Sequence, residues 1–313
     1  MNVFSSAAFL ETVADLGFPG RSHAIEIVRV GSERFRLLVI DGHHVVTEWP
    51  YLDFFEPLPE DMPGLPRRTL GYLPLASVRS LPAEQWRPEE QGPPFLPSPY
   101  VDWTRFPTWE DFTALVSSRI GNLLPDSRRK RRKLERDLGP VRFTFHDERP
   151  EVFDTCLRWK SAQYLASGYK DLFSDARNVA LFRRLAAAGV VRVSSLSAGE
   201  RLVAVHLGAL HEGRFSWWVP AYDTEAGRYS PGRLMLEELL ESSYRAGHHE
   251  FDFLIGEEDY KWHYATHTRV AGPYGIPPLS LRARRVAKER VKAVLQRYPW
   301  LWEQARALKR RLR

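Results

Sequence analysis

The chain has 313 residues, of which 43% are hydrophobic and 27% charged, and a formal net charge of +6. This length exceeds one average domain and favours two modest domains over one large α/β unit. No apolar run of about 18 residues occurs, and the N-terminus lacks the basic start and apolar core of a secretory signal, so we expect a soluble, cytoplasmic protein. The single cysteine, Cys156, excludes an intramolecular disulfide and a cysteine-based zinc site.

The first part of the chain is predicted as a short helix followed by an antiparallel meander. The helix covers Ser6 to Leu16. Segments of alternating hydrophobicity follow at Ala24 to Val30, Phe35 to Ile40 and Val45 to Trp49, and glycine-containing turn signals separate them.

A proline-rich stretch comes next. Thirteen of the 23 prolines lie between Pro50 and Pro107, which argues against long helices and central strands and leaves loops with one strand near Thr69 to Leu75. A helix is then predicted from Thr108 to Asn122, and a strongly basic helix follows it up to a stop at Gly139-Pro140. We place a domain boundary near Asn122 to Ser127.

The C-terminal half is predicted as an α+β layer. Its elements, in order, are a strand (Val141 to Phe145), two helices (Glu151 to Ala166 and Ala176 to Ala188), three strands (Val190 to Leu196, Leu202 to Leu210 and Phe215 to Tyr222), a helix (Pro231 to Ala246) and a strand (Phe251 to Ile255). Segregated helices and hairpin-linked strands favour a mostly antiparallel sheet over a doubly wound one.

The last segment is a basic tail. Arg282 to Arg313 contain twelve Lys and Arg against Glu289 and Glu303. Its apolar residues recur at helical spacing, so it is predicted either to pack on the domain or to lie at a membrane surface such as the inner membrane face. The predicted parts of the chain are therefore residues 1–122, 123–280 and 281–313.

The most informative segment, Tyr229 to Leu236, joins a predicted strand to a predicted helix. Ser230 is a natural N-cap and Pro231 a natural first helical residue. Arg233 then opposes the positive end of the helix macrodipole, a misfit that an anion docked on the turn would relieve. Because Gly232 lets a bulky group approach the backbone amides, a phosphate or pyrophosphate fits here. An ordinary capped surface helix with a solvated Arg233 is the alternative.

This turn is one of a series of motifs. A hairpin, the turn and a helix come first, and they are followed by Phe251-Asp252-Phe253-Leu254-Ile255-Gly256 and Glu258-Asp259-Tyr260-Lys261. In that order and spacing, Arg131 to Tyr264 resemble the GNAT-type acyltransferases called CelD-like or BioF2-like. The segment is more distantly similar to the FemAB aminoacyl transferases, which are built from two GNAT-like domains. The resemblance implies an α+β fold with a mixed, mostly antiparallel sheet flanked by helices, and a diverged second GNAT-like unit in residues 1–122.

The resemblance also implies a reaction, in which an N-acyltransferase moves an acyl group from acyl-coenzyme A to an amine by direct attack on the thioester. The amine would belong to a sugar, a peptide or a small molecule. Acyl-coenzyme A is then a cosubstrate, and neither a permanently bound cofactor nor a metal is predicted. The donor's thioester would lie near the strand Phe215 to Ala221, and its pyrophosphate on Tyr229, Ser230, Pro231, Gly232, Arg233 and Leu234.

Attack on a thioester needs a neutral amine, so a base within hydrogen-bond reach would help. The candidates for this base are Asp252, His206, Glu257, Glu258 and His263, and structural roles for Asp252 and His206 are the alternatives.

Tyr260 and Lys261 resemble the family's Tyr-Lys pair. The tyrosine would give a proton to the leaving thiolate, and the lysine would steady a phosphate or the developing oxyanion.

The acceptor site is predicted around Lys160, Tyr164, Trp217, Tyr222 and Glu258. Lys160 and Tyr164 share a helix face at i, i+4 spacing, with a solvated surface as the alternative. Adjacent strand residues point to opposite faces, so only one of Trp217 and Trp218 can line a site.

Two rival functions stay open. The first is aminoacyl-tRNA-dependent transfer, for which the basic run Arg128 to Lys133 and the basic tail would contact phosphates. The second is a non-enzymatic protein that binds a membrane surface or nucleic acid through the tail. The sequence has no nucleophile elbow, Walker loop or dinucleotide fingerprint, so hydrolase, kinase and dehydrogenase functions have no support.

Overall fold

The structure, a computed structural model, describes residues 3–30, 33–44, 72–91 and 95–275, together with the single positions 279, 283 and 286. Within these ranges the helices are α1 (Ala7–Gly17), α2 (Pro88–Gln91), α3 (Trp109–Arg119), α4 (Leu123–Leu138), α5 (Pro150–Ala166), α6 (Ala176–Ala187), α7 (Pro231–Arg245) and α8 (Asp259–Tyr264). The strands are β1 (His23–Val30), β2 (Glu33–Ile40), β3 (His43–His44), β4 (Tyr72–Pro82), β5 (Leu96–Asp102), β6 (Val141–Thr144), β7 (Val191–Ala198), β8 (Arg201–His211), β9 (Arg214–Tyr222), β10 (Glu250–Asp252) and β11 (His267–Gly275).

Local sequence signals account for the helix ends. Ser6 caps α1 by accepting from the Phe9 N–H, and Thr108 and Asp111 form a reciprocal capping box at the start of α3. Helix α4 ends where Gly139 adopts a φ of 102°, a conformation that favours glycine. The helices predicted between Ser6 and Ala246 and the central hairpin β8–β9 are therefore confirmed.

The strands form two sheets. Strands β1, β2 and β3 make a small antiparallel sheet, and the others form an eight-stranded sheet in the order β4-β11-β5-β10-β9-β8-β7-β6. Every neighbouring pair in the larger sheet is antiparallel except β9 and β10, which are parallel. This arrangement confirms the predicted α+β class with a mixed, mostly antiparallel sheet.

Strand β5 corrects the prediction that prolines exclude central strands, because it contains Pro97 and Pro99 and lies between β11 and β10. Alternate residues of a strand direct their backbone groups to the same edge, so both missing N–H groups fall on one edge. On that edge the carbonyls of Pro97 and Pro99 accept from the N–H groups of Gly256 and Phe253, each at 3.0 Å.

The position of β5 also bears on the predicted domain boundary near residue 122. Strands β4 and β5 precede that boundary, yet they pair with β10 and β11 in the same sheet as β6 to β9. One sheet thus crosses the boundary, and the second GNAT-like unit in residues 1–122 stays a prediction.

Two predicted segments cannot be compared with the structure. Val45 to Trp49 lies outside the described residues, as does the tail at 281–313 apart from positions 283 and 286. The strand predicted near Thr69 to Leu75 is observed as β4.

Two apolar cores lie on the faces of the larger sheet. One joins α1, α5 and α6 to β8 and β9 through residues such as Phe9, Phe182 and Leu207. The other joins α3, α4 and α7 to the sheet through residues such as Phe112, Leu239 and Phe251. Cys156 is fully buried in the first core, and burial raises the pKa of its thiol to about 12, so it acts as a small hydrophobe. Among the described residues, no helix is long and apolar enough to cross a membrane.

A buried ionic cluster holds β9, β10 and β11 together. Arg269 pairs with Glu250 at 2.5 Å and Asp252 at 3.4 Å, and Arg214 pairs with Glu250 at 2.9 Å. The guanidinium of Arg269 also lies 4.1 Å from the centre of the Tyr100 ring. Because the charges are paired, their burial is tolerated, but the loss of one member would leave a partner charge uncompensated.

We expect Arg269→Met to lower the free energy of unfolding by about 3–5 kcal/mol, because it leaves the buried Glu250 and Asp252 carboxylates without their shared cation. Urea unfolding monitored by circular dichroism measures the change. Arg177→Met is the matched control, since Arg177 forms an exposed pair with Asp175 and its loss is expected to cost far less. Equal losses in the two variants would contradict the role of the cluster.

Candidate active site

The parallel pairing of β9 and β10 is short and ends in a gap. Only three residues of each strand are paired, the last being Ser216 and Asp252, while β9 continues to Tyr222. We call the space between residues 217–222 of β9 and residues 253–258 the strand gap. Such a gap offers backbone groups of two diverging chains to a ligand that lies between them.

A β-bulge begins where the gap begins. Between the pairs Leu207–Val219 and Ala209–Ser216, one residue of β8 opposes two residues of β9, Trp217 and Trp218. The Nε2 atom of His206 accepts from the Trp218 N–H at 3.1 Å, and the imidazole stacks on Trp217 at 4.3 Å. His206 therefore satisfies the backbone amide that the bulge exposes.

This packing argues against His206 as a base. The side chain is fully buried, and burial lowers the pKa of its imidazole to about 3, so it is neutral. Its Nε2 lone pair is already used by the bulge amide. We therefore assign His206 a structural role, which the sequence left open as the alternative to a base.

The two tryptophans point to opposite faces of the sheet, as their adjacency predicts. Trp218 packs with Phe4 and Phe182, whereas Trp217 lies in the other core and its Nε1–H donates to the Tyr260 hydroxyl at 3.0 Å. Burial raises the pKa of Tyr260 to about 12, so the hydroxyl stays protonated at neutral pH. A phenol that accepts one hydrogen bond keeps its own proton for donation, which suits a proton donor at the start of the gap.

The loop after β10 is held by Lys261. Its ammonium donates to the carbonyls of Leu254 at 3.3 Å and Ile255 at 3.2 Å, and it pairs with Glu258 at 2.9 Å. A lysine has three N–H donors, so these contacts use all of them. Lys261 therefore holds the loop in this structure, and its predicted contact with a phosphate or oxyanion stays a prediction.

Both carboxylate oxygens of Asp252 also have partners within the protein. One carboxylate oxygen accepts from the Leu254 N–H at 2.8 Å, and the other faces Arg269. Burial raises the pKa of this carboxyl, while the charge of Arg269 opposes that shift. Asp252 therefore caps the loop and pairs with Arg269 rather than with Lys261, and its predicted base role stays a prediction.

Helix α5 lies beside β9 at the gap. Lys160 Nζ donates to the Pro220 carbonyl at 3.1 Å and lies 5.2 Å from the centre of the Tyr164 ring. Gln163, which the sequence did not single out, donates to the Tyr222 carbonyl at 3.2 Å. These contacts place Lys160 and Tyr164 beside β9, where a rim of the acceptor site was predicted.

The predicted donor turn lies at the start of α7. Ser230 has a φ of 53° and does not cap the helix; its hydroxyl instead accepts from Lys130 of α4 at 2.5 Å. A Cβ atom on Gly232 would lie 3.4 Å from the Tyr222 ring, so the turn and the end of β9 are in contact. Pro231 occupies the first helical position, as predicted, whereas Tyr229 and Leu234 are buried in the core.

Arg233 has a protein partner that the sequence did not reveal. Its guanidinium pairs with Asp126 of α4 at 2.5 Å, and the hydrogen bonds from Arg233 and Arg129 lower the pKa of Asp126 to about 2. This pair relieves the misfit of a cation near a helix N-terminus without a bound anion. The sequence did not reveal that Asp126 pairs with Arg233 or that Lys130 contacts Ser230, because α4 is distant from this turn in sequence.

The structure thus brings together two groups of predicted residues. Ser230, Pro231 and Gly232 form the turn, and Tyr222 connects it to the gap. The residues placed along the gap are Lys160, Tyr164, Trp217, Tyr222, Glu258 and Tyr260. Asp252, His206 and Lys261 are near the gap, but each forms a hydrogen bond with a backbone group of the protein. Which of these residues act in a reaction stays a prediction.

Comparison with known proteins identifies the central region. Residues 124–262 match the family model described as an acetyltransferase (GNAT) domain. This match confirms the predicted resemblance and supports an enzyme of the acyltransferase type over a non-enzymatic binding protein. No curated protein matches the chain.

Three solved structures are similar to the chain. FemX has a TM-score of 0.51 and 8% identity over 88% of this chain and 92% of its own. The C-terminal domain of a putative lysylphosphatidylglycerol synthetase from Agrobacterium fabrum has a TM-score of 0.45 and 11% identity over 92% and 96%. L-PGS from Bacillus licheniformis has a TM-score of 0.44 and 14% identity over 95% and 98%. At these identities the FemX likeness supports the fold alone.

We expect Gly256→Ala to destabilise the loop beside the gap. Gly256 has a φ of 150°, and an added Cβ atom would lie 2.5 Å from Lys261 Nζ and closer still to the Glu258 carboxylate. Backbone strain of this kind costs about 1–3 kcal/mol, which urea unfolding would detect. Gly227→Ala is the control, because its Cβ atom would have no neighbour within 4 Å. A loss no larger than that of the control would contradict this account of the loop.

Proposed function

We propose that this GNAT-type acyltransferase moves an acyl group from acyl-coenzyme A to an amine of a sugar, peptide or small molecule. The observation that carries the proposal is the contact between the strand gap and the turn at the start of α7. The gap offers an elongated slot for a thioester, and the turn offers a site for the diphosphate at the other end of the same donor. Acyl-coenzyme A serves as a cosubstrate rather than as a resident cofactor.

The turn suits a diphosphate for electrostatic reasons. The first amides of α7 lie at the positive end of a 15-residue helix, and Pro231 removes one of them without loss. Lys130 lies against Ser230 at this turn, with its side chain only partly exposed. A phosphate that accepted from the Gly232 amide would lie within reach of this ammonium. Arg233 contributes charge to the turn, although Asp126 compensates it.

The gap suits acyl transfer because a proton donor lies where β9 and β10 separate. The Tyr260 hydroxyl, fixed by Trp217, can protonate the thiolate that leaves when an amine attacks the thioester carbonyl. Glu258, in the wall that faces β9, is a carboxylate exposed enough to take a proton from the incoming ammonium. Among the base candidates, Glu258 is attracted by Lys160 across the gap and keeps contact with solvent.

Calorimetric titration of coenzyme A tests the donor site. We expect binding by the wild type and an affinity about tenfold lower for Lys130→Gln, because a charge-assisted contact to phosphate is lost. Lys133→Gln is the matched control, since it removes the same charge from the same helix. Among the described residues, the lysine that contacts Ser230 is Lys130 and not Lys133. No heat of binding with the wild type would refute the coenzyme A proposal.

A second candidate, an aminoacyl-tRNA donor, is favoured by one observation. Arg128, Arg132 and Arg136 recur at i, i+4 and i+8 on α4 and are exposed, on the helix that supplies Lys130 to the turn. Such a row of guanidinium groups is suited to contact a phosphate backbone. It does not replace the first candidate, because the same charges also attract the phosphates of coenzyme A.

Salt dependence separates the two donors. If tRNA is the donor, its affinity should fall steeply between about 50 and 200 mM salt, and Arg128→Gln/Arg132→Gln should reduce the salt slope by about one to two. Fluorescence anisotropy with labelled tRNA measures both quantities. Arg177→Gln/Arg183→Gln on α6 is the control pair. A slope that the α4 variant leaves unchanged would exclude this helix as an RNA contact.

A further inference from the structure

Lys160 donates a hydrogen bond to one wall of the strand gap and is within electrostatic reach of a carboxylate on the other. On one wall its Nζ donates to the Pro220 carbonyl of β9 at 3.1 Å, four residues beyond the last β9 residue that pairs with β10. On the other wall it is attracted by Glu258, in the segment that follows β10. Its ammonium group therefore lies where the diverging chains face each other.

The surroundings of Lys160 differ from those of an ordinary surface lysine. The side chain is held against β9 by the Pro220 contact and by the Tyr164 ring. Burial lowers the pKa of this amine, which increases the fraction that is neutral and nucleophilic at a given pH. Lys261 lies nearby, but its three N–H groups are all engaged, so it is a poor nucleophile by comparison.

We infer that Lys160 is a self-acylation site, at which the enzyme transfers an acyl group from its own bound donor to this lysine. This inference rests on the proposed function, because it needs a thioester in the strand gap. The neutral Nζ atom attacks the thioester carbonyl, so that a C–N bond forms and the C–S bond breaks. The electron pair leaves on sulfur, and the proton lost from nitrogen restores the thiol of coenzyme A. No further reactant is required.

Acylation would change the gap as well as the lysine. The amide carries no charge, so the attraction to Glu258 disappears. The added acyl group would occupy the space through which a second acyl donor must enter. The modification would thus limit further turnover at the same site.

Mass spectrometry of the full chain tests the inference with acetyl-coenzyme A and, in a second arm, decanoyl-coenzyme A. The chain has only eight lysines, so peptide mapping assigns each label. We expect one acyl group per chain, located on Lys160, at a rate at least tenfold above that at the exposed Lys170. An excess of desulfo-coenzyme A should suppress the labelling, because it competes for the donor site. Lys160→Arg should abolish this label, whereas Lys170→Arg should leave it in place.

The outcomes separate this inference from the proposed function. If calorimetry shows coenzyme A binding but Lys160 is labelled no faster than Lys170 in either arm, self-acylation is refuted and the donor site stands. If coenzyme A does not bind the wild type, the proposed function fails and the inference fails with it. Thermal melting of Lys160→Arg confirms that loss of the label does not reflect loss of the fold.

Discussion

The short parallel pairing of β9 with β10 is the constraint on which the site depends. A longer ladder would close the sheet, because each further pair of residues would consume the backbone groups that the gap exposes. Two features stop the ladder after Ser216 and Asp252. The bulge at Trp217 and Trp218 turns β9, and the Asp252 carboxylate bends the other chain by capping Leu254, whose φ is 59°. The neighbouring side chains then hold the two chains apart: His206 in the bulge, Lys261 in the loop and Lys160 along β9.

Charge is arranged differently at the two ends of this site. Around the gap, nearly every charge has a partner at short distance, as in the cluster of Arg269, Glu250 and Asp252. Near the turn, the cations of α4 outnumber the acidic residues of α4 and α7 together. Several of the α4 arginines are exposed. Paired charges in the sheet preserve geometry, whereas the excess on α4 creates a positive field over the turn. Such a field favours the approach of anions to the turn, and the paired charges hold the chains beside the gap in place.

Local chemistry in the sequence was sufficient for much of the fold. Caps at Ser6 and Thr108, the first-turn position of Pro231 and the glycine after α4 each act within a few residues, so their outcome did not depend on the rest of the chain. The turn before α7 could be located for the same reason. The predictions that failed concern residues whose contacts are with partners distant in the sequence. The prolines of β5 were interpreted as excluding a central strand because the sequence does not reveal that both would face the same diverging edge. Arg233 was predicted to face a bound anion or solvent because its partner Asp126 lies 107 positions away. The partners of His206 and Lys261 could not be predicted either, because they depend on a bulge and a loop that no local pattern specifies.

The location of β5 has a consequence for how the chain folds. This strand is made early in synthesis, yet both of its neighbours in the sheet, β10 and β11, come from residues 250–275. Pairings across so many residues are slow to form, and the early segment cannot complete them until the late one has left the ribosome. Until then β5 has an unpaired edge along Ser98 and Tyr100, and its prolines blunt the other edge against pairing with foreign strands. Pro97 and Pro99, whose carbonyls hold the segment beside the gap in the folded protein, thus also protect the nascent chain from misassembly.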